Sequence, residues 1–109
     1  MNDKHLNILL ADDDIDDCKF FSDALDALPV STNLKTLNDG EQLMNYLFEN
    51  SDSLPDVVFL DINMPRKNGL DCLLEIKTNS KLKDLPVVIL STSNSEEKKN
   101  LNMKNISKK

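Results

Sequence analysis

Three carboxylates and one hydroxyl stand where unbroken apolar runs end. Asp12 and Asp13 follow ILLA at residues 8–11, Asp61 follows VVFL at residues 57–60, and Ser91 follows VVIL at residues 87–90. Runs of this length without polar interruption suit strands covered on both faces of a parallel sheet. The carboxyl ends of such strands line one crevice, so the four side chains are expected to meet there. Carboxylates brought together repel unless a cation or a raised pKa relieves them. Mg2+ takes oxygen ligands and keeps several waters, so two carboxylates and a backbone carbonyl suffice to hold it. A carboxylate beside that ion could attack phosphorus and become an acyl phosphate, which is the part assigned to Asp61. The Ser91 hydroxyl could then donate to a phosphoryl oxygen and draw its loop inward as a switch. Each residue also has a plainer reading: Asp12 and Asp13 as a polar turn, Asp61 as a helix cap, Ser91 as a turn residue.

The elements that must position these groups alternate. After the first strand, Asp14 suits the cap of a helix starting near Ile15 or Asp16, with Asp16 and Asp17 favoured by the dipole in its first turn. Phe20, Phe21, Ala24, Leu25 and Leu28 fall on one face at helical spacing, and Pro29 stops the helix. A weaker strand covers residues 34–37, and Asn38-Asp39-Gly40 reads as a turn. Leu43, Met44, Leu47 and Phe48 mark a second helix, and Leu70, Leu73, Leu74 and Ile76 a third. The order βαβαβαβ calls for a three-layer α/β/α sandwich with a parallel sheet and right-handed crossovers. Beyond Ser93, a helix start capped by Ser95 gives way to Asn100, Asn102 and Asn105, which lower helix propensity. Residues 1–97 are therefore read as one domain, and residues 98–109 as a weakly specified basic tail.

Composition narrows the function classes. The 109 residues suit one domain with one core. Arg66 is the sole arginine, there is no Trp, and no basic stripe carries interleaved aromatics, so a nucleic-acid partner is not expected. No apolar run approaches a membrane span and no signal peptide opens the chain, which predicts no membrane association and a cytoplasmic location. Cys18 and Cys72 lie far apart in predicted helices and read as structural thiols. His5 reads as an exposed residue.

These residues together resemble the receiver domain of two-component response regulators. The resemblance runs from about Leu6 to Glu97 and is densest in DINMPRKNGL, Asp61 to Leu70. That segment couples a phosphoacceptor to the loop-shaping Met64, Pro65 and Gly69. Asp12-Asp13 follows the first strand, and Ser91 lies 30 residues after Asp61, as in the family. KLKDLPVVILSTSNSEE looks like small single-domain receivers of bacterial signalling. The resemblance implies a flavodoxin-like fold with strand order 2-1-3-4-5. It implies phosphorylation of Asp61 by a histidine kinase or phosphotransfer protein in a phosphorelay, and no conventional enzyme activity. It also implies Mg2+ held directly by Asp13, Asp61 and the Asn63 backbone carbonyl, with Asp12 acting through water. Ser91 is the implied switch hydroxyl, and Thr92 the small residue beside the phosphoryl group.

One departure stands out. The family carries a lysine after a fifth strand, and a switch aromatic within that strand. Lys108 lies only 17 residues after Ser91, too few for the family's spacing, and is at best a weak candidate for that lysine. The sheet is thus expected to stop after its fourth strand and to lack the fifth strand and last helix. A bare fourth strand would invite pairing with a second copy, hence an expected homodimer through the sheet edge. Two other readings stay open. A degenerate receiver would bind a partner without phosphorylation. An aspartyl-phosphate hydrolase of the haloacid dehalogenase type would need a second Asp two residues after Asp61, where this chain has Asn63, and room for a cap domain.

Overall fold

The computed structural model describes residues 5–90 and the backbone of residues 106–107. The elements follow in the order β1 (His5–Ala11), α1 (Ile15–Asp26), β2 (Ser31–Leu37), α2 (Gly40–Glu49), β3 (Val57–Asp61), α3 (Gly69–Thr78), β4 (Val87–Leu90) and β5 (Ile106–Ser107). They form one sheet in the order β2-β1-β3-β4-β5. β1, β2, β3 and β4 are parallel, as the apolar runs predict. The three-layer flavodoxin-like sandwich inferred from the sequence is therefore the observed fold.

The register brings the strand ends level. Ala11 pairs with Leu37 and Leu60, and Leu60 pairs with Ile89. Asp12 leaves β1 beside the last residue of β3, Asp61, which pairs with Leu90. The chain runs outward from β1 to β2 on one side and to β3 on the other. The crevice between the carboxyl ends of β1 and β3 is thus the topological switch point of the sheet, where open α/β folds bind ligands.

Alternation along β3 divides the two faces. Val58 and Leu60 are fully buried with Leu43, Met44 and Leu47 of α2 and Cys72 and Ile76 of α3. Phe59 points the other way and meets Phe21 of α1, ring centroids 4.8 Å apart and tilted by 60°. The core is therefore concentrated under α2 and α3, while α1 buries no residue completely.

Several helix faces differ from the sequence reading. On α1 the partly buried line is Cys18, Phe21, Ser22 and Leu25, whereas Phe20 is 76% exposed and Ala24 and Leu28 are also exposed. On α3 the buried positions are Gly69, Cys72 and Ile76, with Leu70 and Leu74 turned outward at 54% and 65% exposure. Phe48 of α2 is likewise exposed. A helix lying on a sheet buries only a narrow stripe at i, i+3, i+4 and i+7, and apolar residues flanking the stripe stay in water. Cys18 and Cys72 are free thiols, half-buried and buried respectively. Burial pushes both up to about 11, so neither is a reactive thiolate at neutral pH.

At the far edge of the sheet, β4 is not bare. In place of a parallel fifth strand, Ile106 and Ser107 pair antiparallel with Val88 and Val87. The expectation of a wholly open β4 edge is corrected at these two positions. Residues 106–107 thus form a short strand within the segment read from the sequence as a weakly specified basic tail. Ser91, Thr92, the helix start at Ser95, and Lys108 lie outside the described residues. Among the described residues, no helix is long and apolar enough to cross a membrane.

Candidate functional site

β1 and β3 deliver the acidic residues to one place. Carboxylate oxygens of Asp12, Asp13 and Asp61 all lie within 4.8 Å of one another. Asp12 is 1% exposed, Asp61 is buried beside it, and Asp13 faces solvent. Two buried carboxylates with an exposed third beside them are close enough to share one small ion.

Local hydrogen bonds hold the loop after β1. The Asp12 backbone N–H donates to the Leu37 carbonyl at 2.9 Å, carrying the β1–β2 pairing one residue past the strand. Asp12 Oδ1 accepts the Asp14 N–H at 3.0 Å. Asp14 in turn caps α1, accepting from the N–H groups of Asp16 at 2.9 Å and Asp17 at 3.4 Å. The cap predicted for Asp14 is thus the observed one. It leaves Asp12 and Asp13 to point into the crevice.

The electrostatics carry a cost. Burial, then the neighbouring Asp61, Asp17 and Asp13 carboxylates, push Asp12 up to about 7 from its ordinary 3.8, against the Asp14 N–H, which favours its charged form. Three oxygens this close, two of them out of water, suit a hard divalent cation, which would offset both the desolvation and the mutual repulsion.

The far wall is the 62–68 loop between β3 and α3. The Asn63 N–H donates to Asp61 Oδ1 at 3.4 Å, so the chain turns tightly after the strand. The Gly69 N–H donates to the Ile62 carbonyl at 2.9 Å. A Cβ at Gly69 would collide with the Asp61 carbonyl oxygen and lie 2.8 Å from Ile62 Cα. Gly69 therefore lets α3 begin directly against the backbone of Asp61. Met64 is buried in the core and anchors the loop from beneath.

Two contributors escaped the sequence reading. Asp39, taken as a turn residue, is buried and caps α2. Arg66, counted only as the sole arginine, has φ 67° and pairs with Asp39. No periodicity marks either one. The sequence signal that could have found them is the lone Arg beside Met64-Pro65 and the Asp-Gly step before a helix. A separate cavity of about 380 Å³ between β1, β2 and the 53–55 loop has no acidic residue in its lining and plays no part in this site.

Comparison with known proteins agrees with this geometry. The chain matches the response regulator receiver domain over residues 8–106. It is 38% identical over 95 residues to response regulator Rcp1 of Synechocystis sp. (strain ATCC 27184 / PCC 6803 / Kazusa), covering 83% of this chain and 64% of that protein. It is 32% identical over 93 residues to the probable methanogenesis regulatory protein FilR2 of Methanothrix harundinacea (strain 6Ac), covering 83% of this chain and 60% of that protein. The chain thus spans less than two thirds of the length of both relatives. The Mn(2+)-bound form of Rcp1 has a similar structure, with TM-score 0.74 and 36% identity over 84% of this chain and 69% of that one. The phosphorylated cyanobacterial phytochrome response regulator RcpA gives 0.76 and 38% over 86% and 70%.

Proposed function

Because the chain belongs to the response regulator receiver family, we propose that it accepts a phosphoryl group on Asp61 from a histidine kinase or phosphotransfer protein, in a Mg2+-dependent step of a cytoplasmic phosphorelay. The observation that carries this reading is the convergence of Asp12, Asp13 and Asp61 at the switch point of the sheet.

Asp13, Asp61 and the Asn63 backbone carbonyl would hold the ion directly, and Asp12 would hold it through water. When bound, Mg2+ neutralises the carboxylates and the charge on the incoming phosphoryl oxygens. An Asp61 carboxylate oxygen attacks phosphorus in line with the phosphorus–nitrogen bond of the donor phosphohistidine. That bond breaks, the imidazole leaves with the electron pair, and an acyl phosphate forms on Asp61. The chain's own task is alignment: the Asn63 N–H orients Asp61 Oδ1, and the buried β1 and β3 ends fix the carboxylate spacing. Ser91 and Thr92 directly follow β4, whose last residue pairs with Asp61. In this reading the Ser91 hydroxyl donates to a phosphoryl oxygen, and Thr92 leaves room for the group.

The test is labelling by a small phosphodonor with and without Mg2+, read as intact mass. We expect a single phosphoryl adduct that needs Mg2+, is labile in base and is lost in Asp61→Asn. An adduct that persists in Asp61→Asn refutes the assignment. A chain that folds cooperatively but takes neither the ion nor the phosphoryl group is instead a phosphorylation-independent binding module.

A further inference from the structure

The 62–68 loop is held in a conformation that its sequence does not favour. Arg66 has φ 67°, the only positive φ at a non-glycine among the described residues. Across it, the Lys67 N–H donates to the Pro65 carbonyl at 2.7 Å, closing a three-residue turn of the rare, strained kind. An arginine in the left-handed region persists only where its surroundings dictate it.

Those surroundings are the start of α2. Arg66 Nε donates to Asp39 Oδ2 at 3.1 Å, and the other Asp39 oxygen accepts the Gln42 N–H at 2.9 Å. The Gln42 N–H, then the Arg66 guanidinium, hold the buried Asp39 carboxyl below its usual range. One carboxylate thus fastens the loop and caps the helix at once. Gly40 completes the contact: a Cβ there would strike the Lys67 carbonyl oxygen and lie 2.6 Å from Lys67 Cβ. Beyond the strained turn, Lys67 Nζ meets Glu75 Oε1 of α3 at 2.8 Å.

The fastening does little for global stability. The Arg66 side chain is 60% exposed, and ion pairs with an exposed partner add little. The left-handed backbone works against that small gain. What the pair does is tie the segment between Asp61 and α3, which carries Asn63, to the start of α2.

We propose that Arg66 is a positioning residue. Its ion pair with Asp39 locks the 62–68 loop so that the Asn63 carbonyl and the Asp61 carboxylate converge on the cation. The inference rests on the reading of Asp61 and Asn63 as cation ligands. The position of α2 then feeds directly into the affinity of the acidic site.

Mn2+ binding to the full chain, followed by electron paramagnetic resonance, tests this alongside thermal melting. Arg66→Gly keeps the left-handed backbone available but deletes the ion pair. Asp39→Asn keeps an oxygen for the Gln42 N–H but no longer accepts from Arg66. Each variant should bind Mn2+ roughly tenfold more weakly, the scale of lost outer-shell support. Arg66→Gly should melt no lower than the parent. The double variant should bind no more weakly than either single one, because both remove one interaction. Unchanged Mn2+ affinity in the single variants overturns the proposal, as does an affinity loss that merely follows a lowered melting temperature. A parent chain that fails to bind Mn2+ overturns the cation site itself, and this inference with it.

Discussion

Asp12→Asn should stabilise the cation-free protein, and by an amount that depends on pH. The folded chain holds the Asp12 carboxyl at about 7, whereas its ordinary value is 3.8. Between those values the folded state keeps a proton that the unfolded state has released. Stability without a divalent ion therefore falls as pH rises through that window, and the full penalty is present above it. About three pH units at roughly 1.4 kcal/mol each give a ceiling near ~4 kcal/mol. Asparagine keeps an oxygen for the Asp14 N–H but brings an amide that needs its own partner, so a gain of about 2–3 kcal/mol is the working figure. Urea unfolding in chelator, followed by far-ultraviolet circular dichroism, measures it. At about pH 8 the midpoint should rise by roughly 1–3 M, and at about pH 4 the two proteins should nearly coincide. Added Mg2+ should stabilise the parent more than the variant, since the parent's acidic cluster gains most from the ion. Equal midpoints at about pH 8, or an offset independent of pH, would refute the claim that a buried, mutually repelling carboxylate limits stability.

Other consequences follow from the same geometry. Mg2+ affinity of the parent, measured calorimetrically, should weaken as pH drops below about 7, because Asp12 must release its proton to act. Gly69→Ala should lower stability by roughly 2–4 kcal/mol in urea unfolding, since its Cβ meets backbone atoms of Asp61 and Ile62 that have no room to yield. Asp39→Ala removes a helix cap and Arg66's partner together, and should cost about 1–2 kcal/mol while weakening Mn2+ binding. Phe21→Ala should cost roughly 2 kcal/mol, below a full core truncation because Phe21 is only half-buried, and should leave phosphoryl labelling intact.

Much of this protein follows from its sequence alone. The strands are legible because runs such as VVFL and VVIL carry no polar residue, a pattern that only two-sided burial explains. Their carboxyl ends then locate Asp12, Asp13 and Asp61 without reference to any distance, since parallel strands must end on the same side. The Asp14 cap is equally local: donor and acceptor lie two and three residues apart. Other features depend on contacts that residue type does not encode. Leu70 and Leu74 are as apolar as Leu43 and Leu47, yet they face water, because the narrow stripe of α3 that meets the core carries Cys72 and Ile76 instead. The two-residue antiparallel strand at Ile106–Ser107 is set by a partner far back along the chain, Val87–Val88. Arg66 and Asp39 are 27 residues apart, and their pairing exists only after α2 and the 62–68 loop have been brought together. The left-handed backbone at Arg66 is the clearest case: local preference opposes it, and only the tertiary contact with a buried carboxylate holds it there.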